Sequence, residues 1–211
     1  CVSSSIHNPS NMIPKINEED FYKSINHAIS ENRHEDYLHE VIKKYEEYKK
    51  EFGKIFAKKN SNNSVYKFRV TYLLQKPIWR DIELFGKQTF LALAEEIIDS
   101  MGWDNDHMHG FEIPEKRRKP DPFFTGSSNA FFAPGWEDDP HPTYKTDEIS
   151  IQDVDYNKLP KLDFIFDFGD GHRFDIEFKG NRALKKNEKI NDFPKVIDQR
   201  GIGPKQYPEC E

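Results

Sequence analysis

The stretch from Leu162 to Phe178, LDFIFDFGDGHRFDIEF, admits few folds. Leu162, Phe164, Phe166 and Phe168 alternate with Asp163, Ile165 and Asp167, and Phe174, Ile176 and Phe178 alternate with Arg173, Asp175 and Glu177. A period of two with one apolar side belongs to half-buried strands. Gly169-Asp170-Gly171-His172 between them supplies the backbone freedom of a reversal. The segment predicts an antiparallel hairpin that turns five phenylalanines into one core and gathers carboxylates and an imidazole at its turn.

A core of that kind needs enough chain to enclose it. With 211 residues, 36% of them hydrophobic and 17 of them Phe, the chain supports one domain with a helical appendage. The net charge of −6 argues against a non-specific grip on nucleic acid by the whole surface, and leaves room for a local basic patch. No apolar run approaches the roughly 20 residues that cross a membrane, which gives the expectation of a soluble, cytoplasmic protein with no membrane partner. Cys1 and Cys210 stand at the two ends and build neither a disulfide framework nor a zinc ribbon. Cys1 ahead of a Ser/Asn-rich lead-in also fits a lipid-modified end.

Ahead of the hairpin, Asn17 caps a helix whose first turn carries Glu18, Glu19 and Asp20 and whose stripe is Phe21, Ile25, Ala28 and Ile29. A second helix spans 35–58, with Leu38, Val41, Ile42, Tyr45, Tyr48, Phe52, Ile55 and Phe56 on one face and Glu and Lys on the other. These helices form an appendage over 1–60, docked on the sheet or pairing two copies as a homodimer, and a linker at 60–64 opens the main domain, 61–211. Tyr66, Phe68, Val70, Tyr72 and Leu74 mark a strand, and Ile78 to Leu84 a second. Arg80 shares a face with aliphatics there, while Trp79, Asp81 and Glu83 share the other. A buried guanidinium must be paired, and an acid of the 167–170 turn is the expected partner.

Thr89 caps a helix to Met101, stopped by Gly102, and Gly110 to Ile113 is a further strand. Residues 114–158 read as a long irregular stretch holding the basic run Lys116, Arg117, Arg118 and Lys119, the aromatics Phe123, Phe124, Phe131, Phe132 and Trp136, and the acids Glu137, Asp138 and Asp139. From Gly180 the tail reads as an irregular wrap with one short helix. The class is α+β: an antiparallel or mixed sheet packed by helices.

Three stretches now stand in order: Pro77-Ile78-Trp79-Arg80; Gly102-Trp103-Asp104 with His107, His109 and Phe111; and Phe166-Asp167-Phe168-Gly169-Asp170. Together they resemble the plasmid pRiA4b ORF-3-like family over about Val65 to Pro208. The resemblance implies an α+β domain of plasmid and mobile-element contexts, with no established activity. Where the family pattern continues with an acid, a Trp and a nearby His, this chain has Gly171, His172 and Phe174. The label of transposon resolvase sometimes attached to the family fails on chemistry, since a serine recombinase needs an activated Ser among arginines that hold the scissile phosphate. Asp167-Phe168-Gly169 likewise lacks the phosphate loop and catalytic loop of a kinase.

Two functional readings and one structural reading follow. The first is a non-enzymatic interaction module for a protein or nucleic-acid partner, using Trp79 and the Lys116–Lys119 run beside paired aromatics. The alternative is a metal-dependent hydrolase in which His107, His109, Asp167, Asp170 and His172 hold zinc, manganese or iron and activate water. In the structural reading Trp79, Arg80, Trp103, His109 and Asp167 pin helix to sheet, with Asp104 in the same motif.

Overall fold

The computed structural model describes residues 19–31, 35–56, 63–75, 77–114, 130–133 and 144–207. Two helices, α1 (Glu19–Ser30) and α2 (Glu35–Phe52), precede the strands β1 (Ser64–Tyr72) and β2 (Trp79–Phe85), the helix α3 (Phe90–Ser100) and the strand β3 (His109–Glu112). The short strands β4 (Ala130–Ala133) and β5 (Tyr144–Lys145) lead to the hairpin β6 (Lys161–Phe166) and β7 (His172–Ala183), and β8 (Lys195–Arg200) comes last. The eight strands among the described residues join one sheet in the order β5-β4-β3-β6-β7-β1-β2-β8. Every pairing is antiparallel except that of β4 with β5, so the sheet is mixed and the class is α+β as expected.

The inner face carries the core. Phe68, Val70, Ile82, Leu84, Phe164, Phe166 and Phe174 are sealed beneath α3, whose Phe90, Leu93, Ala94, Ile97 and Ile98 face them. Helix α3 forms where the alternation of β2 gives way to apolar positions three and four apart. Thr89 accepts a hydrogen bond from the Ala92 amide at its start, and Gly102, at φ +75°, turns the chain out at its end. Phe21 and Ile25 of α1 join the same core, with Ile55 and Phe56, so the stripe of the first helix is used within its own chain.

The hairpin forms with one correction. Phe164, Phe166 and Phe174 are buried and Phe178 packs at the core's edge, but β6 stops at Phe166 and Phe168 lies half-buried in the turn. Asp167 breaks the alternation by adopting φ +53°, a left-handed conformation its side chain supports by accepting from the Gly169 and Asp170 amides. The second helix ends at Phe52, short of Lys58; a turn follows, and Phe56 bridges to Val154. The stretch after Ile113 holds two strands, and its Ile149, Ile151, Val154, Tyr156 and Leu159 are core residues. The tail supplies β8, which pairs with β2 as an outermost strand. Residues 1–18, the linker at 57–62 and the loop residues 115–129 and 134–143, with Lys116, Arg117, Arg118 and Lys119 among them, lie outside the described residues.

Candidate functional site

Strand β2 separates two residues that stand side by side in the sequence. Arg80 points inward and is almost wholly buried. No acid of the 167–170 turn meets it, contrary to expectation. Its guanidinium donates to the carbonyls of Trp79, Ser100, Arg200 and Gly201. Carbonyls at a helix end lack partners within the helix and carry the negative end of its dipole, so they serve a buried cation as a carboxylate would. Burial holds the Arg80 guanidinium below its usual range.

Trp79 points to the outer face, half-buried, with the Arg69 guanidinium 3.8 Å from its ring centroid. Beside it Asp81 takes Arg69 on both carboxylate oxygens and Lys67 at 2.7 Å. Burial pushes the Asp81 carboxyl up, but the hydrogen bonds from Arg69 and Lys67 outweigh it and hold the group below the usual carboxylate range. The register extends this face into rows: Asp175, Thr71, Trp79 and Arg200 in one, Glu177, Arg69, Asp81 and Asp198 in the next. One end of the face is closed where Phe193 and Leu184 cover Val65 and Phe85. The end at Trp79 has no such cover among the described residues.

A polar corner lies at the β6–β7 turn. Trp103 lies tilted against the His172 ring, centroids 4.3 Å apart, and donates its indole N–H to the Pro204 carbonyl at 2.7 Å. His172 contacts the Gln206 carbonyl through Nε2 at 3.2 Å and the Tyr72 hydroxyl through Nδ1 at 3.1 Å. Because a carbonyl only accepts, Nε2 carries the proton. Gln206 accepts from the Asp104 amide and donates to the Asp104 carbonyl and to Asp106. Tyr207 donates to Asp106 at 2.7 Å, a bond that pushes its hydroxyl up to about 12.

The proposed metal donors are only partly brought together. His107 sits in a bend before β3, so the alternation expected to align it with His109 does not apply. His107 Nε2 lies 3.5 Å from Asp167 at the surface. His109 is buried against Phe111 and Phe164 and reaches Thr146 at 3.3 Å; burial pushes it down to about 4. Asp170 is exposed in the turn, and no group of three His, Cys, Asp or Glu that could hold a metal ion occurs among the described residues.

The model of the plasmid pRiA4b ORF-3-like proteins matches residues 64–207. The chain belongs to the plasmid pRiA4b ORF-3-like family. Its fold is similar to the crystal structure of a protein of unknown function from Methanosarcina mazei Go1, with a TM-score of 0.54 and 18% identity over 68% of this chain and 73% of that one. No curated protein matches the chain. The residues singled out in the sequence divide their work: Arg80 ties β2 to the end of α3, Trp103 and Asp104 hold the closing segment, and Asp167 shapes the turn.

Sequence reasoning missed Gln206, Tyr207 and Arg69. Gln206 sits in a Pro-flanked tail with no periodicity. Arg69 could have been found, since it alternates onto the same side of its strand as Lys67, and Trp79 and Asp81 share a side of the next. None of the described helices is long and apolar enough to cross a membrane.

Proposed function

We propose that this chain is a non-enzymatic interaction module, of plasmid or mobile-element type, that holds a protein partner against the outer face of its sheet. The observation that carries the reading is the half-exposed Trp79 on the face away from α3, already stacked by Arg69. Tryptophan and arginine are the side chains that most often dominate protein interfaces, because a large ring and a planar cation bury area with little loss of freedom. The same stacking favours a protein over a nucleic acid. One side of the ring is covered by the Arg69 guanidinium, which leaves only the other for a base to stack on.

The hydrolase alternative has less support, because His172 has both ring nitrogens engaged and His109 faces Thr146 from within the core. The test compares immobilised wild-type protein with Trp79→Ala for capture from an extract of the source organism. The module reading expects a protein retained by the first and lost from the second; identical retained sets overturn it. Elemental analysis of the same preparation covers the alternative, which a stoichiometric metal would restore.

A further inference from the structure

The outer face carries its charges unevenly. Lys67 and Arg69 are held by Asp81, Lys161 by Asp175, Lys179 by Glu177, and Arg182 and Lys195 by Glu83 and Glu188. Arg173 and Arg200 have no acidic partner among the described residues, and both are exposed. They lie at the same end of the face. Arg200 is the cross-strand neighbour of Trp79, and the carbonyl of Arg173 accepts from the Leu73 amide just beyond β1. Three strand steps of about 4.8 Å separate β7 from β8, so the two cations stand roughly 15 Å apart across the sheet.

That end is also where apolar side chains are left in solvent. Leu73 is 43% exposed and Leu74 60% in the β1–β2 connection, and Ile202, which follows Gly201 just after β8 and beside Pro77 and Ile78, is 91% exposed. Arg173, Trp79 and Arg200 share this end of the sheet with the exposed Leu73, Leu74 and Ile202, while the opposite end is closed by Phe193. On a chain of net charge −6, two arginines outside the ion pairs of the face, at an end with exposed apolar side chains, call for a partner that brings both carboxylates and apolar groups.

We propose that the Trp79 end of the outer face docks an acidic, extended segment of a protein partner, its carboxylates on Arg173 and Arg200 and its apolar residues on Leu74, Ile202 and the edge of Trp79. The span between the arginines corresponds to about four residues of extended chain. Planar guanidinium groups take carboxylates in paired hydrogen bonds, which gives the segment its register. The inference rests on the binding-module reading and adds the partner's chemistry and position.

The experiment is selection of a displayed random-peptide library on the full chain and on an Arg173→Glu/Arg200→Glu variant. Both substitutions are at exposed positions, and matching melting curves would show that the variant folds. The expected result is enrichment of peptides in which Asp or Glu alternates with Leu, Ile or Phe, falling at least about tenfold on the variant. No enriched family, an enriched family without acids, or enrichment unchanged on the variant overturns the proposal. So does a 12-residue oligothymidylate that binds wild type and not the variant, which would give the face to nucleic acid. Failure here with Trp79→Ala still losing its captured protein removes the acidic segment alone; Trp79→Ala retaining the wild-type set removes the module reading itself.

Discussion

Nε and Nη2 of Arg80 both donate to the carbonyl of Ser100, the last residue of α3, at 3.1 and 3.0 Å. One side chain from β2 thereby closes the C-terminal end of the helix and, through Nη1, the end of β8. The helix, an inner strand and an outermost strand of the sheet are tied at a single buried cation. The motif around Arg80 thus contributes architecture, and the neighbouring Trp79 is left free for the opposite face.

Replacing Arg80 by Ala leaves four carbonyls short of a donor and opens a cavity beside α3. We expect a loss of about 3 kcal/mol, read as a lower melting temperature. Arg80→Lys is expected to recover less than half, because one ammonium cannot reach all four carbonyls from a single position. A melting temperature unchanged in Arg80→Ala would remove this role.

Asp81 answers Lys67 and Arg69 from an almost fully buried side chain. Its carboxyl titrates below the ordinary 3.8, so its contribution is complete above 3.8 and is lost as pH falls through the lower folded value. Asp81→Asn is expected to be less stable than wild type by about 1–2 kcal/mol at pH 7, a difference that narrows below pH 3.8. Urea titrations at pH 7 and pH 3 measure it, and a gap that stays constant would contradict the pairing.

The sheet was largely readable because its signals are local. Period-two alternation announced β1, β2, β6 and β7, and Thr89 and Gly102 announced the limits of α3. Arg80 was recognisable as a buried cation, but its acceptors come from residues 100, 200 and 201, which no spacing along the chain connects. Strand β8, Lys195–Arg200, was hidden for a different reason: at the sheet's margin it exposes four of its six residues, so no apolar alternation marks it. The site suffered in the same way. Trp79 and Arg69 could each be assigned a face, but Arg200 becomes the neighbour of Trp79, and Arg173 comes to the same end of the sheet, only through the pairing of four strands.

His109 is held neutral in the core, pushed down to about 4 from 6.5 by burial. A histidine lowered on folding contributes stability that is whole above pH 6.5 and drains away as pH falls toward 4, because the unfolded chain takes up the proton first. Over that window wild type should lose about 3 kcal/mol more than His109→Gln, at roughly 1.4 kcal/mol for each pH unit. Glutamine retains a group able to bond Thr146 but does not titrate. Chemical denaturation at pH 7, 5.5 and 4.5 tests it, and parallel pH profiles would contradict the assignment.

The closing segment is fastened through its main chain and through the Gln206 side chain. Gly203 lies so close to α3's exit that a Cβ there would collide with the Met101 carbonyl, and Gln206 bonds both the amide and the carbonyl of Asp104. Trp103 and His172 each hold a carbonyl of the same segment. Gln206→Leu keeps the volume and removes the amide, leaving the Asp104 amide and carbonyl without these partners. The expected outcome is a loss of about 2 kcal/mol, with faster hydrogen exchange at Asp104 and earlier protease cleavage between 200 and 207. Because α3 and the hairpin keep their own packing, exchange in β6 and β7 should rise less than at Asp104. If exchange accelerates equally throughout, the segment is an integral part of the cooperative core and not a strap laid over its end.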